Sequence, residues 1–404
     1  MTARTPGAGP RAGGPAVPLI ALAGVVLVSL NLRTAVTSIS PLLGEIDAEL
    51  GLGPGGMSML GMIPTAMFAL WGVLTPLVLR RYGLETVTVI AMIAAAAGQV
   101  LRAFAPDPWT MGVGSLIALA GMGVGNVVAP PLVKKYFPRH VPAMSMAYIT
   151  GLQIGTVVPA LVAVPVSESS GWRVSIGWWA ALAVVAAIPW FVEAIRHGSA
   201  PVNPAAATAG ERIRPWRSPV GVALALFFGT NSLGTYAFFT WLPAVAESIG
   251  MTRAEGGLAL AVYSAVGLVG ALVVPWIAGR VEDPYFVVIL SVLAYFIGFA
   301  GLLWAPGVAP WVWIVLLGLG PSTFPLCLTL INLRTRTAAG SAALSGFSQG
   351  VGYTAASLGP AVFGMLFTGP GLGAGLAFLT VVLIVMAVVA RTACRPLMLE
   401  DTLR

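Results

Sequence analysis

The sequence predicts an all-α integral membrane protein of twelve transmembrane helices in two six-helix halves, and three observations predict it. Charged residues make up only 9% of the chain and hydrophobic ones 58%, against roughly a quarter charged in an ordinary soluble domain. Apolar stretches of the roughly 20 residues needed to cross about 30 Å of hydrocarbon recur along the whole chain. They are continuously apolar, whereas strands of a membrane barrel alternate in segments of about ten residues, so helices are expected.

Residues 1–16 are rich in Gly, Pro and Ala, carry Arg4 and Arg11 and lack the apolar core of a signal peptide, so a short cytoplasmic tail is expected there. Spans follow at 17–43, 57–79, 85–105, 109–133, 141–166 and 172–195. Segment 196–217 breaks the pattern with Pro, Ala, Asn and charges and reads as a cytoplasmic linker. It separates an N-terminal bundle, 17–195, from a C-terminal bundle, 218–392, whose spans are 218–243, 256–278, 285–305, 309–331, 340–367 and 372–392. A second cytoplasmic tail, 393–404, completes the chain.

The halves echo each other at an offset of about 200 residues. Glu49-Leu50-Gly51 answers to Glu247 through Gly250, Gly123 through Pro130 to Gly318 through Pro325, and Ala143-Met144-Ser145 to Ala343-Leu344-Ser345. Three echoes in the same order point to duplication. Two six-helix halves related by an axis along the membrane normal describe a large class of secondary transporter, with the substrate held at mid-membrane between them. The glycines of the fourth and fifth spans, Gly121, Gly123, Gly125, Gly151 and Gly155, would let helices approach closely.

A formal charge of +7 raises nucleic acid as a partner, but the distribution argues against it. All Lys and Arg except Arg33, Arg102, Arg173 and Arg253 fall on one side of the predicted topology. That asymmetry places both termini in the cytoplasm and the protein in the cytoplasmic membrane. The two cysteines, Cys327 and Cys394, are expected far apart, which supports neither a disulfide nor a metal site. No metal-ligand cluster, Ser/His pair or paired carboxylate falls within the spans, so neither an enzyme nor a cofactor is expected.

Arg33 is the outstanding residue. It sits in Ser29-Leu30-Asn31-Leu32-Arg33-Thr34, about 15 Å of helix from the predicted outer end at Leu43. Published costs for an arginine at the bilayer centre start at roughly 2.5 kcal/mol, and such residues nearly always face a bundle interior or a wet cavity. No Asp or Glu lies near mid-membrane to partner it, and His140 and His197 fall in cytoplasmic loops. Arg33 is therefore expected to bind an anionic or strongly polar group of a solute, or else to bond backbone carbonyls of a neighbouring helix.

The run Asn31-Leu32-Arg33 with Thr37-Ser38 and Pro41-Leu42-Leu43 carries a family resemblance. So do Gly125-Asn126-Val127-Val128 with Pro131 through Lys135, Trp241-Leu242-Pro243, and Leu333 through Tyr353. Together they resemble the cyanate/2-nitroimidazole transporter family of the major facilitator superfamily. The resemblance touches both halves and implies alternating access around a central cavity, a small-molecule substrate and a monomer in the lipid bilayer. The loop Arg80-Arg81-Tyr82-Gly83 departs from it, being a shortened form of the superfamily's usual signature between the second and third helices.

Further candidates share that cavity. Asn31 points about 200° round the helix from Arg33, so it either contacts the solute or caps a kink or bridges helices, whereas Thr37, four residues on, shares the face of Arg33. Asn126 lies in the Gly-rich fourth span. In the seventh span Asn231 falls at the repeat offset of Asn31 to Arg33, and Tyr236 and Thr240 continue a polar stripe from Ser232. Trp241 is a candidate wall of the cavity, and Gln349 and Tyr353 form an i,i+4 pair in the eleventh span. The leading expectation is a carrier of a small anionic or weakly acidic organic solute anchored by Arg33. The alternative is an exporter of neutral or weakly basic heterocycles, with Arg33 as a hydrogen-bond donor or clamp.

Overall fold

The computed structural model describes residues 16–198 and 213–403. Most of the first tail and of the linker expected from sequence therefore lies outside the described residues. Twelve helices among the described residues are long and apolar enough to cross a membrane. In the first half they are Leu19–Leu50, Gly53–Tyr82, Leu84–Ala103, Pro108–Tyr136, Ala143–Ser170 and Trp172–Arg196. In the second they are Pro219–Ser248, Arg253–Ala278, Tyr285–Trp304, Pro310–Leu333, Ala343–Thr368 and Leu372–Cys394. Gly53 and Arg253, or Trp172 and Leu372, start corresponding spans about 200 residues apart, so the repeat inferred from weak echoes runs through the architecture.

Local chemistry starts these helices where the loops end. Asp107 caps the fourth span by accepting from the Trp109 and Thr110 amides at 2.8 and 2.9 Å, with Pro108 in the first turn. Thr252 and Glu255 form a reciprocal capping box at the start of the eighth. The second and third spans are joined by Gly83 alone.

The first span is not the straight helix over 17–43 that its apolar run predicts. It divides into Ala16–Asn31, Thr34–Thr37, a 3₁₀ turn Ser40–Leu42 and Leu43–Leu50. The tenth and eleventh spans are interrupted too, at Gly320–Ser322 and at Ser357. Non-helical backbone at membrane depth is tolerated where protein surrounds it, and Thr34, Ala35, Val36 and Thr37 are all buried.

The halves meet where the second span packs on the eleventh, the fifth on the eighth, and the broken part of the first on the seventh. Within the first half, a side chain on Gly155 would overlap the Leu30 carbonyl just before the break. The close approach expected of the fifth-span glycines thus falls where the first span unwinds. Cys327 and Cys394 are not far apart as expected. Both are free and buried and lie near each other, and Arg334, just past the end of the tenth span, donates to the Cys394 carbonyl at 2.6 Å. The described part of the second tail packs back on the bundle: the Leu399 amide donates to the Arg334 carbonyl at 2.8 Å, and Arg336 forms a two-pronged pair with Asp401.

Candidate functional site

Arg33 stands at the break in the first span, with φ −126° and ψ −5°, just before the four-residue helix Thr34–Thr37. The span continues to Leu50 rather than ending at Leu43. Arg33 is 6% exposed. Nη1 donates to the Leu32 carbonyl at 3.2 Å and to Asn126 Oδ1 at a long 3.5 Å. The Asn126 amide is itself held by the Met122 carbonyl at 3.0 Å, which aims its oxygen at Arg33.

Aromatic side chains enclose the rest of the group. The guanidinium carbon lies 4.8 Å from the centre of the Phe68 ring, a cation–π contact. Tyr148, Tyr236 and Tyr353 lie close around Arg33. Phe68 sits edge-on to Tyr353 and Tyr236 at 5.9 and 6.3 Å, and Phe228 closes on Tyr353 at 5.0 Å. The first, second, fourth and fifth spans of one half and the seventh and eleventh of the other thus contribute to one cage.

Its chemistry follows from its parts. Among the described residues, Arg33's partners are a carbonyl, an amide oxygen, phenols and a ring face. None carries a formal negative charge. Phenols are neutral near pH 7 and can donate. The cage therefore offers a fixed positive charge, several donors and flat apolar walls, which suits one negative charge on a small planar body.

The other candidates are distributed more widely. Tyr236, Tyr353 and Asn126 join Arg33 in the cage. Thr37 is fully buried and donates to the Arg33 carbonyl at 3.3 Å, so it supports the broken helix. Asn31 turns to the third span, contacting Met92 Sδ at 3.5 Å and accepting from Thr34. Asn231 accepts from Thr323 of the tenth span at 2.6 Å. Trp241 donates to the Pro360 carbonyl at 2.8 Å and packs on Phe367. Gln349 is half-buried and donates to Ser345 on its own helix at 2.8 Å.

Phe68 and Tyr148 were not singled out by sequence reasoning. Phe68 is one of 16 phenylalanines, with nothing local to mark it; Tyr148, an isolated phenol in an apolar span, carried a weak signal. Arg102, counted only toward topology, is buried in the third span and donates to the Ala35 carbonyl at 3.0 Å.

The two faces of the molecule differ. On the basic face, Lys135–Glu85, Arg391–Asp283 and Arg336–Asp401 each stay within one half. On the opposite face Glu45 of the first span pairs with Arg253 of the eighth and accepts from Ser167 of the fifth at 2.7 Å. Gly61 there abuts Thr240 and Pro360 of the other half. The halves are latched together on the Glu45 face.

The comparisons with known proteins agree with this architecture. The Major Facilitator Superfamily profile matches residues 25–363. The 2-nitroimidazole transporter of Escherichia coli (strain K12) is 29% identical over 357 residues, 87% of this chain and 89% of that protein. The cyanate transport protein CynX of the same organism is 27% identical over 347 residues, 85% and 88% of the two chains. A bacterial homolog of the human lysosomal transporter Spinster superposes with a TM-score of 0.75 at 16% identity, covering 97% of this chain and 99% of that one. A duplicated twelve-helix body, a polar cage where its halves meet and this profile over most of the chain have one meaning: the protein belongs to the Major Facilitator Superfamily and is a multi-pass membrane transporter of small solutes, not an enzyme.

Proposed function

We propose that the solute is a small anionic or weakly acidic organic molecule, bound by Arg33 and moved by alternating access. The observation that carries this reading is the Arg33 cage, whose members among the described residues supply donors and ring faces but no carboxylate. The names of the relatives, one for cyanate and one for 2-nitroimidazole, describe a small anion and a flat heterocycle, chemistries that a guanidinium beside ring faces can bind. The positive-inside asymmetry supports a cytoplasmic basic face and cytoplasmic termini in the cytoplasmic membrane, and the family resemblance supports a monomer. The latched Glu45 face is then external.

Energetics bound the direction of transport. One elementary charge crossing the membrane is worth about 2.3 kcal/mol per 100 mV. With the interior negative, a lone anion is driven outward. Export, or facilitated movement of a weak acid, needs no further driving ion; concentrative anion uptake requires exchange or a co-moving cation.

Flux into proteoliposomes, screened over cyanate, thiocyanate, benzoate and neutral nitroimidazoles under imposed pH and voltage gradients, tests the reading. Removing charge-assisted contacts worth about 1.5–3 kcal/mol raises KM roughly 10- to 100-fold in Arg33→Ala. Arg33→Lys, which keeps the charge and loses the planar fork, falls between. Anions that neither move nor compete, together with normal transport by Arg33→Ala, would overturn it. The rival, export of neutral or weakly basic heterocycles with Arg33 as a clamp on Phe68, is favoured if heterocycle binding survives Arg33→Ala.

A further inference from the structure

A second guanidinium is buried beside the same short helix. Arg102, in the last turn of the third span, is 2% exposed, and its Nη1 holds the Ala35 carbonyl. Ala35 lies two residues beyond Arg33, about 3 Å along the axis at 1.5 Å per residue, so Arg102 grips the short helix Thr34–Thr37 just past the residue that carries the first cation. One carbonyl dipole does not neutralise a buried cation. Nε of Arg102 has no hydrogen-bond partner. The helix C-terminus it belongs to carries roughly half a negative charge, which covers part of the deficit only.

Arg102 also borders a cleft between the halves, with Ser40, Gly61, Ser115 and Thr240 among its walls. Thr240 belongs to the second half and the others to the first. The cleft is about 10 Å³ here, room for one water at most, so a solute enters only when the halves part. Leu43 is part of its outer wall, and two residues on Glu45 carries the latch to Arg253. The hydroxyls of Ser115 and Thr240 bond to their own helices at 2.8 and 3.0 Å and can rotate to donate to an anion.

We propose that Arg102 is a second anion subsite, occupied from the external face when the latch is open, from which a small monoanion passes to Arg33. The proposal rests on the anion reading of the Arg33 cage. An anion leaving water for a low-dielectric passage loses hydration worth several kcal/mol. A guanidinium one step outside the central one shortens the unaccompanied path.

The test is zero-trans flux of benzoate and of thiocyanate in uniformly oriented proteoliposomes of the full chain, with KM and kcat measured from each face. Arg102→Gln removes the charge and, two bonds shorter than arginine, also gives up the Nη1 bond to the Ala35 carbonyl, so Arg102→Lys, which keeps the charge on a longer stem, is its structural control. Arg102→Gln raises the external KM about tenfold or more, the loss of one charge-assisted contact, and leaves the cytoplasmic KM within about twofold. Arg102→Lys stays within about threefold on both faces. If Arg102→Gln does not reconstitute, Thr240→Val, which has nearly the same shape, carries the same test with an external KM raised about threefold.

A purely structural staple lowers kcat from both faces and leaves both KM values alone, and that result overturns the proposal. An Arg33-dependent flux whose external KM ignores Arg102→Gln and Thr240→Val overturns this inference but not the central site. If neither anion is carried by the wild type, or Arg33→Gln carries both normally, the proposal falls together with the anion reading.

Discussion

Glu45 and Arg253 join the halves at one face, so removing their charges should shift the molecule toward opening there. Their side chains are 28% and 36% exposed, and a pair so wetted is worth far less than its Coulomb energy in a dry interior. About 0.5–1.5 kcal/mol is reasonable for a partly exposed pair with one supporting hydrogen bond. That changes the ratio of open to closed forms roughly 2- to 12-fold. Glu45→Gln is the cleanest perturbation, because the amide oxygen still accepts from Ser167 while the charge is gone. The assay is electron–electron distance measurement between spin labels at Ser170 and Ala254, both exposed and in different halves, after Cys327 and Cys394 are replaced by alanine. A longer-distance population should grow in Glu45→Gln, in Arg253→Gln and in the double variant to the same extent, since each removes one shared interaction. High salt should narrow the gap between wild type and variants. Unchanged distances, or additive effects of the two substitutions, would refute the idea that this pair latches the halves.

Other perturbations have equally definite outcomes. Gly61→Ala forces a methyl against Thr240 and Pro360 of the other half; overpacking of about 1–3 kcal/mol raises the open population at least fivefold in the same distance assay. Gly155→Ala instead meets the Leu30 carbonyl inside one half, so it lowers thermal stability by a comparable amount without favouring either face, as differential scanning fluorimetry would show. Glu400 accepts from the Arg336 and Thr337 amides at 3.1 and 3.4 Å, so Glu400→Ala should speed hydrogen exchange at those amides several-fold. Asp107, in the loop before the fourth span, is held below the usual carboxylate range by the Thr110 amide and hydroxyl and the Trp109 amide. A depressed folded pKa contributes stability above the unfolded value and loses it as pH falls through the folded one. Asp107→Ala should therefore melt earlier than wild type at neutral pH, and the two should converge on acidification.

What the sequence reveals here depends on which force decides each feature. Span number is set by hydrophobicity over some 20 residues, a property readable from composition alone, and the duplication is visible in matching turns such as Gly51 and Gly250. The cost of a membrane-buried guanidinium marked Arg33 without any structure. The break beside it was not legible. Leu30-Asn31-Leu32-Arg33-Thr34 contains neither Gly nor Pro, and the unwinding is supported from other spans, by Arg102 on the Ala35 carbonyl and by the close approach of Gly155. Asn31 illustrates the same limit. Its polarity left both the cavity and a bridge between helices open, because rotation about a helix axis is fixed by neighbours, and it turns to Met92 of the third span. Phe68 and Tyr148 reach Arg33 from separate spans, a convergence that exists only once the bundle is assembled.

The undercompensated charge of Arg33 bears on the transport cycle as well as on binding. Between its two open states an empty carrier must pass through a closed form with this guanidinium buried, as here at 6% exposure, against groups that carry no negative charge. A buried cation without a counter-ion is penalised by several kcal/mol, and an anion seated against it removes much of that penalty. On the proposed reading the loaded protein therefore closes and reopens more readily than the empty one. A difference of about 1.4 kcal/mol already makes exchange tenfold faster than net movement. In proteoliposomes loaded with labelled solute, unlabelled solute outside should accelerate tracer exit by at least that factor. In Arg33→Gln the acceleration should disappear, because a neutral side chain is nearly indifferent to the occupancy of the site. Equal tracer exit with and without external solute in the wild type would mean that protein groups alone meet the needs of the Arg33 charge, and the anchor would then have to be sought elsewhere in the cage.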